Sequence, residues 1–93
     1  MADLRPMFRK WHKQRNKEHP THLLPILLKI EQGDNEWIVE LSEGKRFEHI
    51  WGVSVFHHEG KGKFTILKDR GKSKIFRSRK EAEQYFDKIV EEF

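Results

Sequence analysis

Residues 78–93 read SRKEAEQYFDKIVEEF. Ser78 stands three positions before Glu81, the capping-box spacing, in which the serine hydroxyl accepts from a first-turn amide and the glutamate reaches back to the serine amide. Ala82, Tyr85, Phe86, Ile89, Val90 and Phe93 then recur at i, i+3, i+4, i+7, i+8 and i+11. The spacing predicts an amphipathic helix from about Arg79 to Glu92. Its apolar stripe must be covered, so the rest of the chain has to supply an apolar surface.

That surface is a sheet. Working back from Ser78, short runs rich in strand formers alternate with turn residues. Lys72 to Phe76 follows Asp69-Arg70-Gly71, and Lys63 to Leu67 follows Glu59-Gly60-Lys61-Gly62. Phe47 to His58 reads as a long strand with Phe47, Trp51, Val53 and Val55 on one face, and Gly52 is where a bulge is expected. A turn at Ser42-Glu43-Gly44 separates it from Glu36 to Leu41. Gly33-Asp34-Asn35 in turn separates that strand from one beginning near Ile26. Loops this short make neighbouring strands antiparallel. The fold class is therefore α+β: an antiparallel meander of four to five strands with the C-terminal helix packed on one face.

The N-terminal segment places Leu4, Met7, Phe8 and Trp11 at i, i+3, i+4 and i+7, which predicts a short basic helix over about Leu4 to Arg15 with Pro6 in its first turn. It is read three ways: an arm gripping phosphates, a membrane-surface or partner-binding helix, or a structural helix docking Phe8 and Trp11 on the core. Lys17 to Pro20 reads as a linker. The expected organisation is a basic helix or arm and linker over 1–20 and a single α+β domain over 21–93.

Composition narrows the function classes. Ninety-three residues make one small core. With 37% charged residues the surface is densely ionic, while three Trp and seven Phe make the chain too apolar for disorder. Without cysteine there is neither disulfide framework nor thiolate zinc site. No apolar run is long enough for a signal peptide or a bilayer span, so a cytoplasmic location and no membrane partner are expected.

Net charge is only +4, but it is unevenly spread. Residues 1–19 carry six basic side chains against two acidic, and residues 61–80 nine against one. Clustered cations of this kind suit phosphate neutralisation and counterion release. Lys61, Lys63, Lys68, Arg70, Lys72, Lys74 and Arg77, with Arg9 and Lys13 from the N-terminal segment, are the candidate phosphate contacts. Trp51 is the candidate for base stacking, set against its reading as a core residue. The outer face of the C-terminal helix, with Glu81, Glu83, Asp87, Glu91 and Glu92, would repel a polyanion. If Phe64 and Ile66 pack under that helix, alternation turns Lys63 and Thr65 to the open sheet face, where Lys72 and Lys74 join them. Set against this, such lysines also solubilise a sheet and blunt its edge strand.

Other chemistries find little purchase. Six histidines are present, but His57 and His58 are adjacent on a strand and point to opposite faces, so one ion cannot use both without a bulge. His19 and His22 have chelating spacing in the linker. No nucleotide-binding, metalloprotease or nucleophile-elbow motif occurs, and no cofactor is implied. An acid–base pair from His49 or His57 with Glu48 or Glu59 would need a turn or bulge. The expectation is thus a non-enzymatic nucleic-acid-binding module that contacts phosphates through a basic β-hairpin over Lys61 to Lys80, with single-stranded DNA or RNA slightly favoured. The alternative is a small interaction protein, binding a protein partner or forming a homodimer through a sheet edge or the N-terminal helix, with Trp11, Phe8 and Arg9 as anchors. In element order alone, residues 24–93 are similar to the repeat of the PUR-type single-stranded nucleic-acid binders, without a shared motif.

Overall fold

The computed structural model describes residues 3–18, 26–33, 36–44, 50–66 and 74–92. Among the nominated residues Lys68, Arg70 and Lys72 lie outside these ranges, as do Phe47, His49, His19 and His22. The elements are α1 (Arg5–Glu18), β1 (Ile26–Gln32), β2 (Trp37–Glu43), β3 (Trp51–Gly60), β4 (Lys63–Ile66), β5 (Lys74–Phe76) and α2 (Arg79–Glu92). The strands form one antiparallel sheet in the order β1-β2-β3-β4, and β5 also pairs with β3. Along β3, Phe56 to Gly60 pairs with β4 and Trp51 to Val53 with β5, so the two short strands share one edge.

The α+β meander with a C-terminal helix is as the sequence predicts. Ser78 Oγ accepts the Glu81 amide at 3.3 Å and the Ser78 carbonyl accepts that of Ala82 at 3.1 Å, which starts α2 where its cap requires. Ala82, Phe86 and Ile89 are buried against Val39, Leu41, Val53 and Val55, with Trp51 and Trp37 packed on the margin. Fully burying each large side chain in this layer contributes about 1.5–3 kcal/mol.

The opposite face is covered too. Leu4 and Phe8 of α1 pack with Ile30, Ile38, Phe56 and Phe64, and Trp11, Leu27 and Ile66 close around them. Phe8 sits at the centre, its ring centroid 5.1 Å from both Phe56 and Phe64 and 5.6 Å from Trp11. Leu4 N–H donates to Gln32 Oε1 at 2.7 Å, tying the start of α1 to β1. Asp3 accepts from the Arg5 amide and guanidinium at 3.0 Å each, and the guanidinium hydrogen bond holds its carboxyl below the usual range. Farther along the helix, His12 Nε2 meets Glu40 Oε1 at 3.4 Å with both side chains only 4% exposed. Because helices lie on both faces, β2 is buried at every position from Ile38 to Ser42 instead of alternating.

Three expectations are corrected. Phe64 and Ile66 pack under α1 and not under α2, so the sheet face assigned to phosphate binding is occupied by the protein's own helix. Gly52 stays in register opposite Ser42; the bulge in β3 falls instead between His58 and Gly60, where Glu59 has no partner across the ladder. Lys17 and Glu18, read as the start of a linker, belong instead to α1, while His19 and Pro20 lie outside the described residues.

Candidate functional site

The β3–β4 connection is a two-residue turn, with Lys61 at φ 55° and Gly62 at φ 73° following Gly60 at φ 96°. Positive φ at both central residues is the hairpin turn whose twist matches that of the strands. Glycine is cheap in this region, whereas Lys61 is held there at some cost by the turns of chain around it. His58 does part of that holding. Its ring lies 5.0 Å from Phe64, and its Nε2 accepts the Gly62 N–H at 3.2 Å, which requires the neutral imidazole with its proton on Nδ1. Nδ1 is buried 3.7 Å from Glu36 Oε1.

The fixed turn abuts α1. A side chain at Gly62 would begin 3.5 Å from Met7 Cγ, so the missing Cβ sets how closely turn and helix approach. Between them runs a groove of about 650 Å³ lined by Met7, Lys10, Trp11, Lys13, Gln14, Lys17, Lys61 and Gly62. Lys10, Lys13, Lys17 and Lys61 are all exposed, and none of the described residues lining the groove is acidic. Trp11 supplies a rigid apolar wall, wedged against Phe56 and Phe64 at 5.5 Å each, with the Arg15 guanidinium 5.4 Å from its ring centroid.

The structure thus joins members of the two basic segments, but not the whole set named from sequence. Lys13 and Lys61 line the groove. Arg9 is exposed on α1 outside its lining, and Lys63 projects from the other face of β4. Lys74 lies 5.0 Å from the centroid of the Tyr85 ring, Arg77 is exposed just before α2, and Trp51 packs against the α2 core. Lys10 and Lys17 were missing from the candidates although their signal is in the sequence: with Lys13 and Gln14 they fall at i, i+3, i+4 and i+7, one stripe beside the apolar one.

On the α2 face a smaller cavity of about 220 Å³ is lined by Trp37, His57, Glu59, Thr65 and Ile66. His57 Nδ1 and Glu59 Oε1 are 3.1 Å apart, so this pair does form, two positions apart on one strand and beside the bulge at Glu59. His57 and His58 face opposite sides of the sheet, as strand alternation requires. Among the described residues no cluster of three metal-ligating side chains forms, and no helix is long and apolar enough to cross a membrane.

Comparison with protein-family models, with curated proteins and with solved structures finds no match to this chain.

Proposed function

We propose that this protein is a non-enzymatic module that binds single-stranded nucleic acid in the groove between α1 and the β3–β4 turn. The observation that carries the reading is the convergence of Lys10, Lys13 and Lys17 with Lys61, a residue far along the chain, around an apolar wall containing Trp11. A cationic track beside an aromatic surface is what a flexible phosphodiester strand with exposed bases requires. Duplex DNA hides its base faces, so the aromatic wall favours a single strand.

The second reading is self-association. The outer face of α2 exposes Glu81, Asp87, Glu91 and Glu92, an acidic surface complementary to the groove of a second copy.

Fluorescence-anisotropy titrations with labelled single-stranded and duplex oligonucleotides separate the two. Tighter single-strand binding, lost in Lys10→Glu/Lys13→Glu/Lys61→Glu and kept in Lys88→Glu, is the expected result. No binding of any oligonucleotide, with a salt-sensitive dimer in sedimentation, would replace the first reading with the second.

A further inference from the structure

We propose that the open corner of the sheet on the α2 face is a nucleobase pocket that prefers guanine. The inference rests on the nucleic-acid reading for its purpose, but its geometry is separate from the groove.

Midway along α2, Tyr85 meets Phe76 of β5 at 5.3 Å and Asp87 lies 3.9 Å from Lys29 of β1. At the corner made by the start of β2, the end of β3 and β4, Glu59, Lys63 and Thr65 are exposed, and α2 contributes no described residue to the cavity there. Register places Trp37, His57 and Thr65 opposite one another across three strands, hence on the same face in one row. The cavity there, about 220 Å³, has room for one heterocycle and not for a large ligand.

Its chemistry selects among bases. Trp37 is half-buried, packed on the α2 core and 4.8 Å from the His57 ring, so its indole is a fixed surface for stacking. Glu59 is held by His57 while its side chain stays 49% exposed, which leaves carboxylate lone pairs open to the cavity. An ionised carboxylate only accepts hydrogen bonds. Guanine alone presents two adjacent donors, N1–H and the 2-amino group, on its Watson–Crick edge. Adenine and cytosine place a ring acceptor beside their amino group, and uracil flanks its single N–H with carbonyls; each would set a lone pair against the carboxylate. The Thr65 hydroxyl, donor or acceptor, tolerates any of them.

The corner also lies on a path from the groove. Lys61 lines the groove on one side of the hairpin, and Lys63, two residues on, projects on the face that carries Thr65. A strand leaving the groove over the Lys61-Gly62 turn meets Lys63 and then the Trp37 row.

The test titrates 5′-GMP, 5′-AMP, 5′-CMP and 5′-UMP into the full chain, following the Trp37 indole and His57 ring resonances by heteronuclear NMR, with oligo(dT) binding measured in parallel. GMP should shift both resonances saturably, with affinity about tenfold or more above the other three, the discrimination of one bidentate base contact. Glu59→Gln, which puts a donor where the carboxylate had an acceptor, should erase the preference and leave oligo(dT) affinity unchanged. Equal response to all four nucleotides, no response at Trp37 and His57, or a preference surviving Glu59→Gln would each overturn the pocket. Failure of oligo(dT) alone to bind would overturn the groove reading and leave the guanine pocket standing as a mononucleotide site.

Discussion

Replacing Phe8 with alanine removes the side chain that seats α1, and with it one wall of the groove. Phe8 is 0% exposed and touches three aromatic rings, with Phe56 and Phe64 at 5.1 Å and Trp11 at 5.6 Å. Truncating a fully buried phenylalanine costs about 3–5 kcal/mol, transfer and cavity together. A domain of 93 residues has a total stability of about 5–14 kcal/mol, so one substitution takes a large share of it. Urea unfolding followed by tryptophan fluorescence reads the loss directly. With a slope of about 1–3 kcal/mol/M, Phe8→Ala should lower the midpoint by about 2 M. Met7→Ala, on a side chain 40% exposed on the same helix, should cost less than about 1 kcal/mol. If Phe8→Ala also costs less than about 1 kcal/mol at unchanged slope, α1 is not anchored through this cluster and the groove loses its physical basis.

Further outcomes follow from the same geometry. His12→Ala leaves the Glu40 carboxylate buried without its imidazole and should cost about 3 kcal/mol in chemical denaturation, part of which Glu40→Gln in the same chain restores; a neutral His12→Ala would show that the pair contributes nothing to docking. Ser78→Ala removes the acceptor for the Glu81 amide and should cost about 1 kcal/mol, read as a lower melting temperature and faster amide exchange in the first turn of α2. Asp3 has its carboxyl lowered from 3.8 by the Arg5 hydrogen bond, so its support of α1 is complete above that value and is lost as the pH falls through the lower folded one. An NMR titration of the Arg5 amide should accordingly show a midpoint below 3.8, and a midpoint at or above it would contradict the cap.

Helix α2 and the hairpins β1–β2, β2–β3 and β3–β4 were legible because their signals are local. A serine three residues before a glutamate, a stripe at helical spacing and glycine-rich turns each act over a few residues. The basic hairpin expected over Lys61 to Lys80, by contrast, does not form as one: β5 pairs with β3 beside β4 and not with β4, a long-range choice that the turn residues at 69–71 do not encode. Strand alternation likewise tells that Phe64 and Ile66 share a face, but not which of two helices covers it. That choice depends on where α1 docks, a long-range matter decided by Phe8 and Leu4 finding Ile30, Ile38 and Phe56. The same gap hid the groove, since Lys10 and Lys17 gain a partner in Lys61 only once α1 lies beside the β3–β4 turn. Glycine permits a bulge without demanding one, so Gly52 stays in register and the irregularity lies at Glu59, close to the Lys61-Gly62 turn.

If the groove lysines hold phosphates, oligonucleotide affinity falls with salt in proportion to the phosphates they neutralise. Each phosphate neutralised on a single strand contributes about 0.7 to the slope of log K against log salt, so four groove lysines predict a slope near −3. Measured by anisotropy with labelled oligo(dT), the wild-type chain should show that slope, and Lys10→Ala, Lys13→Ala, Lys17→Ala and Lys61→Ala should each remove about 0.7 of it. A slope that stays the same when all four lysines are alanine, or no binding at low salt, would contradict the assignment of this groove to nucleic acid.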